Sequence, residues 1–256
     1  MSVPLFIGNH LIKLGETSST NSYAMNLLRT GKVAEGTLVW AQNQTAGRGQ
    51  PGTVWHSEAG SNLTFSLILH PGFLAAEKQF YLSKIAAISV LGCLTECLAS
   101  SQNDILIKWP NDILVNEKKI AGILTESLLR GSSLQNTVIG LGLNVNQKKF
   151  CLRGTQSREP TSLSLLSGRT FLTEDILKSF CRHFEANYLN LKGGRYELIN
   201  RLYLKNLFGL QSKRQFTGKD GRFSGEIIGI EEDGRLRIQS ETGNILQFAF
   251  KEIIQH

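Results

Sequence analysis

The sequence has little that would tie it to an oxidising compartment, a metal or a membrane. Its 256 residues include only four cysteines, Cys93, Cys97, Cys151 and Cys181. None forms a C-x-x-C pair, and His56, His70 and His183 stand at no metal-ligand spacing from them, so neither a disulfide nor a structural zinc is expected. Cys93 and Cys97, at i and i+4 of an apolar helical segment, are predicted to be buried thiols. No apolar run reaches the ~18 residues that cross a bilayer. Met1 to His10 lacks the basic and apolar regions of a signal peptide. A cytoplasmic protein with no membrane partner is therefore expected. A strong charge imbalance is also missing: 28 basic residues against 21 acidic give +7. The cations are scattered, and the longest clusters are the pairs Lys118-Lys119 and Lys148-Lys149. Such a balance argues weakly for nucleic acid and equally well for a polyphosphate site.

What is present suffices for a globular fold. With 41% hydrophobic residues, the chain can bury a core of ~150–200 residues and carry a small second domain. Residues 3–14 alternate as a short strand or two. Ser18, Ser19, Thr20 and Asn21 offer caps to a helix with Tyr23, Ala24, Leu27 and Leu28 at helical spacing, ended by Gly31. Residues 37–42 and 62–69 read as strands, and 43–61 between them as a polar, Gly-rich loop. A long apolar helix follows over 77–100. Three β segments then cover 104–115, 119–129 and 134–145, with a hairpin loop at Asn116–Lys119. After a polar loop over 147–160, helices are predicted at 161–167, 173–192 and 194–208. Beyond Phe208, short β runs alternate with Asp220-Gly221, Asp233-Gly234 and Thr242-Gly243-Asn244 turns, the rhythm of a small barrel. The pattern predicts an α+β domain with a mixed or antiparallel sheet, then a compact all-β domain.

Three segments could carry chemistry. In Gln42-Asn-Gln44-Thr-Ala-Gly47-Arg48-Gly49-Gln50-Pro51-Gly52, followed by Trp55, glycines around an arginine let a backbone approach an anion. An empty surface loop would look the same, and no P-loop pattern is present. In Lys108-Trp109-Pro110-Asn111-Asp112, followed by Lys119-Ile-Ala-Gly122-Ile-Leu, a charged, amide-bearing turn sits between apolar strands; a solvated hairpin is the alternative. In Val138-Ile-Gly140-Leu-Gly142-Leu-Asn144-Val-Asn146, alternating glycines suit close contact with a flat ligand, or merely close strand packing. Asn144 and Asn146 are expected to point to one side, where an amide could meet a purine edge.

Together with Ser19-Thr20-Asn21, these segments stand in an order that resembles the catalytic domain of biotin–protein ligases over roughly residues 10–256. The Lys108–Asp112 block is its most specific part. The resemblance implies a class II synthetase-like catalytic domain over 1–208 and an SH3-like β-barrel over 209–256. It also implies an ATP-dependent ligase that activates biotin as biotinyl-5′-AMP and transfers it to a lysine of a carboxylase's biotin carboxyl carrier protein, with Mg²⁺ as counter-ion of ATP. Carried over residue by residue, Ser19, Thr20, Asn21, Gln44, Gly47, Arg48, Gly49, Lys119 and Gly122 would hold biotin. Arg48, Gln50, Trp55, Lys108, Asn111, Asp112, Lys119 and Asn144 would face ATP. Lys119 and Arg48 would be catalytic, bringing the biotin carboxylate to the α-phosphate. Metal ligands are not indicated. No room for a helix-turn-helix precedes Ser19, so no DNA partner is expected, while monomer and homodimer both remain open. One departure stands out: Gln50-Pro51 occupies the place where the family's loop usually continues with arginine. A lipoate or octanoyl ligase of similar fold is the nearest rival reading, and a non-enzymatic basic binding module the other.

Overall fold

The computed structural model describes residues 4–99, 102–150 and 158–256. Seven strands form the main sheet: β1 (Leu11–Thr17), β2 (Leu38–Gln44), β3 (Leu63–Leu69), β4 (Ile105–Lys108), β5 (Asp112–Val115), β6 (Lys118–Arg130) and β7 (Ser133–Leu143), in the spatial order β1-β2-β3-β7-β6-β5-β4. β1 and β2 are parallel and joined through helix α1 (Thr20–Thr30); the other neighbours are antiparallel. The sheet is thus mixed, as expected. The N-terminal β signal resolves into one strand that starts at Leu11, and residues 4–10 form turns.

Both faces of the sheet are covered, so all seven residues of β3 are buried. Thr64, Ser66 and Ile68 point toward α1, which seats Ala24 on Val39, Ile68 and Val138. The other face holds the main core, where Phe65, Leu67, Ile139 and Leu141 meet helices α2 (Phe80–Cys97) and α4 (Thr173–Lys192). The short α3 (Leu163–Ser167) and α5 (Tyr196–Lys205) complete the helices. The helical segment Ala76–Cys97 is long and apolar enough to cross a membrane by length and composition alone, yet Lys84 breaks its apolar run short of ~18 residues, as expected, and most of it is buried in the core. Cys93 and Cys181 are buried free thiols, Cys97 is half-buried, and Cys151 lies outside the described residues. Burial pushes the Cys181 thiol up to about 12.

The C-terminal strands β8 (Lys213–Gly218), β9 (Gly221–Ile230), β10 (Leu236–Ser240), β11 (Ile245–Phe248) and β12 (Ile253–Gln255) form an antiparallel, barrel-like sheet in the order β11-β10-β9-β8-β12. Its core residues Phe216, Ile227, Leu236, Ile238 and Ile253 belong to the same hydrophobic cluster as the main core. Three contacts seal the junction. Trp109 Nε1 donates to the Gly234 carbonyl at 2.8 Å, the Trp109 and Phe250 rings meet edge to face, and Lys78 pairs with Glu232. Gly234 has φ +95°, and a Cβ there would run into the Phe80 ring, so a side chain would meet both steric barriers.

Candidate functional site

Strand register builds the floor of the site. Thr64, Gly142, Gly122, Asp112 and Lys108 are successive cross-strand partners on β3, β7, β6, β5 and β4. Direct partners share a face, so the two glycines form a bare strip with a carboxylate and an ammonium at one end. The turn between β4 and β5 holds a cis Trp109–Pro110 bond. Asn111 fixes this turn to β6: its side chain donates to the Ile123 carbonyl at 2.8 Å, and its own carbonyl accepts from Ile123 N at 2.9 Å. The hairpin of β5 and β6 closes through Asn116 and Glu117, both at positive φ.

The polar end of the floor lies under the first turn of α1. Ser19 caps that helix, its side chain accepting from Ser22 N. The Gln44 carbonyl oxygen accepts from Thr20 N at 2.8 Å and from Thr20 Oγ1 at 3.2 Å, so the amide nitrogen is left for other partners. Ser66 Oγ lies 2.8 Å from Thr20 Oγ1 and 2.5 Å from Asn21 Oδ1. A Cβ on Gly140 would overlap the Asn21 amide, which is why β7 has a glycine there. The result is a compact set of hydroxyl and amide groups, buried and mutually oriented.

The Gly-rich loop closes over the floor. Trp55 N donates to the Gly47 carbonyl at 3.0 Å, and Gly49 N to the Thr53 carbonyl at 3.1 Å, so the loop folds back on itself. This lays the Trp55 indole on Gly142 and Gly122, where a Cβ at either position would crowd the ring. The strip expected to meet a flat ligand therefore carries the chain's own flat ring in this structure. The Trp55 indole nitrogen is buried without a hydrogen-bond partner.

These elements enclose a cavity of about 790 Å³. It gathers Ser19, Thr20, Asn21, Gln44, Arg48, Gly49, Gln50, Trp55, Lys108, Asn111, Asp112, Lys119, Gly122 and Asn144. Gly47 does not line it. That residue is buried under the Trp55 backbone and shapes the loop instead. Asn144 is 3% exposed; its amide nitrogen donates to the Thr161 carbonyl, while its oxygen has no partner. Asn146 departs from the expected alternation, because β7 ends at Leu143. Its side chain instead ties Phe171, donating to that carbonyl and accepting from that N–H.

The charges fall into two groups. Lys119 Nζ sits 2.7 Å from Asp112 Oδ1 and 5.7 Å from the centre of the Trp55 ring. Lys108, 9% exposed, is held below the usual lysine range, chiefly by burial; Asp112 opposes the shift and the Arg158 and Lys119 charges add to it. This end of the cavity thus has more positive than negative charge and can accept polyphosphate. Arg48 lies elsewhere, in a two-pronged pair with Glu126 at 2.7 and 3.2 Å. Glu126 also accepts from Asn21 Nδ2 at 2.9 Å. It stands four residues beyond Gly122, about 13 Å along β6, so Arg48 and Lys119 are not brought together here. Sequence reasoning missed Glu126 and Ser66, each a polar group in an apolar strand. It also missed the barrel residues Phe250, Lys251 and Ile253 that line the cavity, which had no local signal.

Residues 15–144 match the family model for biotin/lipoate A/B protein ligases. The bifunctional ligase/repressor of Bacillus spizizenii is 35% identical over 237 residues, covering 93% of this chain and 71% of that protein. The biotin–[acetyl-CoA-carboxylase] ligase of Mycobacterium tuberculosis is 30% identical over 223 residues, covering 86% and 78%. The solved biotin protein ligase of Aquifex aeolicus, in complex with biotin and ATP, superposes with a TM-score of 0.79 at 26% identity, covering 97% of this chain and 99% of that one.

Proposed function

Because the chain belongs to the biotin/lipoate A/B protein ligase family, we propose that it is a biotin–protein ligase, which activates biotin with ATP and joins it to a lysine of a carboxylase's biotin carrier domain. The observation that carries this reading is the cavity itself, with neutral donors and acceptors at one end and cations at the other. The lipoate alternative is not favoured, since the matched relatives are named for biotin.

A carboxylate does not acylate an amine in water, because an oxide leaving group must first be made good. A carboxylate oxygen of biotin attacks the α-phosphorus of ATP, the bond to the bridging oxygen breaks, and pyrophosphate leaves. The carrier lysine, as the free amine, then attacks the carbonyl carbon of biotinyl-5′-AMP. AMP departs with the electron pair and the amine loses a proton.

In this reading Thr20, Asn21 and Gln44, with Ser19 at the cap, face the ureido ring, whose two N–H donors and one carbonyl suit short hydroxyl and amide partners. Lys119 bridges the two anions that repel each other in the first step, acting where charge develops. Lys108 and Asp112 flank the triphosphate, and the unpaired Asn144 oxygen accepts from an adenine amino group. Arg48 joins them only if it leaves Glu126. Mg²⁺ enters with ATP as part of that substrate. Among the described residues no three metal-ligating side chains cluster, and Asp112 is the one carboxylate lining the cavity. The closed loop and the Trp55 ring keep water from the anhydride.

The test is reconstitution with an acetyl-CoA carboxylase carrier domain, biotin and MgATP, read by intact-mass spectrometry. One biotinyl group on one lysine, dependent on ATP, is expected. An unmodified carrier under conditions where an authentic ligase labels it would sink the reading.

A further inference from the structure

Ser66 lies in the middle of β3, fully buried, behind the cavity wall and not part of it. A buried hydroxyl is retained where its hydrogen bonds are met, and it has one proton to give. Two oxygens stand within reach of Ser66 Oγ: Asn21 Oδ1 at 2.5 Å and Thr20 Oγ1 at 2.8 Å. The other end of the Asn21 amide fixes its orientation. Its nitrogen faces two groups that accept, the Leu124 carbonyl at 3.3 Å and the Glu126 carboxylate at 2.9 Å. The amide oxygen therefore faces Ser66, and having no proton of its own it takes the one Ser66 has. Ser66 Oγ is then an acceptor toward Thr20. Two oxygens in hydrogen-bond contact need a proton between them, and Thr20 supplies it.

This wiring settles what the cavity sees. Thr20 lines the cavity, and its single hydroxyl proton is shared between Ser66 and, more distantly, Gln44 Oε1 at 3.2 Å. No proton is left for a ligand, so toward the cavity Thr20 offers lone pairs alone. Gln44 beside it has the opposite polarity. Its oxygen is taken by Thr20 N at 2.8 Å, and its nitrogen remains to donate. One acceptor beside one donor matches an N–H beside a C=O, the edge of a cyclic urea. A dithiolane ring offers neither group.

We propose that Ser66 is a positioning residue for substrate choice: by taking the Thr20 proton it fixes the Thr20 hydroxyl as acceptor for a ring N–H of the ligand. The inference rests on the ligase reading above and gives part of its selectivity to a side chain that the ligand never touches. Gly140 belongs to the same device. It is the direct cross-strand partner of Ser66, and its missing Cβ leaves the room in which Asn21 reaches Ser66.

A double-mutant cycle of Ser66→Ala and Thr20→Val tests this, read by calorimetry of biotin binding to the full-length chain without ATP or carrier. Thr20→Val removes the acceptor and should weaken biotin about tenfold. Ser66→Ala alone frees the Thr20 proton to turn toward the ligand, where it opposes the ring N–H, and should weaken biotin about fivefold. In the Thr20→Val background the same change should alter Kd by less than about twofold, because no Thr20 proton is left to direct. KM for MgATP in biotin-dependent ATP–pyrophosphate exchange should not change, as expected for an effect confined to the biotin end. Should Ser66→Ala not fold, Ser66→Cys takes its place in the cycle, since a thiol is too weak a partner to hold the Thr20 proton. An equal loss from the Ser66 variant in both backgrounds overturns the proposal, because a general loosening of the pocket does not depend on the Thr20 hydroxyl. An unchanged Kd in the wild-type background overturns it as well. A wild type that binds biotin but shows no biotin-dependent exchange sinks the ligase reading, and the cycle still decides the role of Ser66; a wild type that binds no biotin overturns both.

Discussion

Lys119 lies between the Asp112 carboxylate and the face of the Trp55 ring, and in the proposed reaction it bridges two substrate anions. Lys119→Ala should lower biotin-dependent adenylation roughly a hundredfold, on the scale of a lost oxyanion donor at about 3 kcal/mol. Single-turnover formation of biotinyl-AMP by a folded variant measures this, and a near-wild-type rate rules the role out. Arg48 has a different problem, because Glu126 holds its guanidinium by two bonds. Glu126→Gln should loosen this hold and let the unliganded loop open. Trypsin cleavage at the Arg48–Gly49 bond should then quicken severalfold. An unchanged cleavage rate would show that other contacts keep the loop shut.

Among the elements, β7 sets two glycines two residues apart under different neighbours. Gly140 faces Asn21, which is buried in a hydrogen-bonded network; Gly142 faces Trp55, which hangs from a loop. The same substitution should therefore act differently. Gly140→Ala cannot be relieved by moving Asn21, and should cost about 2 kcal/mol of stability, as overpacked cores do. Gly142→Ala should lift the indole and its loop, leaving the melting temperature near wild type while adenylation falls. Thermal melts with parallel activity assays distinguish them, and equal destabilisation would mean that the loop is as fixed as the helix. Much at this scale was legible in the sequence. Ser19 as cap, the turn at Asn116-Glu117 and the glycine turns of the barrel are local signals, and each appears where its chemistry required it. The row from Thr64 to Lys108 was not legible, because β3 pairs with β7 and the register of distant strands is set by packing. Asn146 misled because alternation holds only while the strand lasts. The barrel's entry into the cavity is a matter of docking, for which Phe250 and Lys251 carry no local pattern.

At the scale of the whole molecule, one core runs from the main sheet through the junction into the barrel, and a buried lysine stands near that junction. Lys84 is 2% exposed; it donates to Asn200 Oδ1 at 2.7 Å and lies 4.5 Å from the Tyr81 ring centre. Burial lowers its pKa to about 8, with Glu232 opposing. Between this value and the ordinary lysine range the unfolded chain binds the proton and the folded protein does not, so stability rises with pH there. Compared with Lys84→Met, the wild type should gain about 3 kcal/mol from pH 8 to 10.5. Below pH 8 the difference should be flat. Urea denaturation of both proteins across that range reads the gain directly, and a constant difference would show that the ammonium is not disfavoured by the core. Taking the variant as reference cancels the opposite trend from Cys181, whose raised pKa removes stability above the ordinary thiol range. The same whole-molecule view joins the neutral and cationic ends of the cavity into one claim, that biotin and ATP meet in it. ATP–pyrophosphate exchange with biotin, lipoate and octanoate offered in turn tests that claim most directly: exchange with biotin alone is the result expected, and exchange with lipoate or octanoate but not biotin would contradict it.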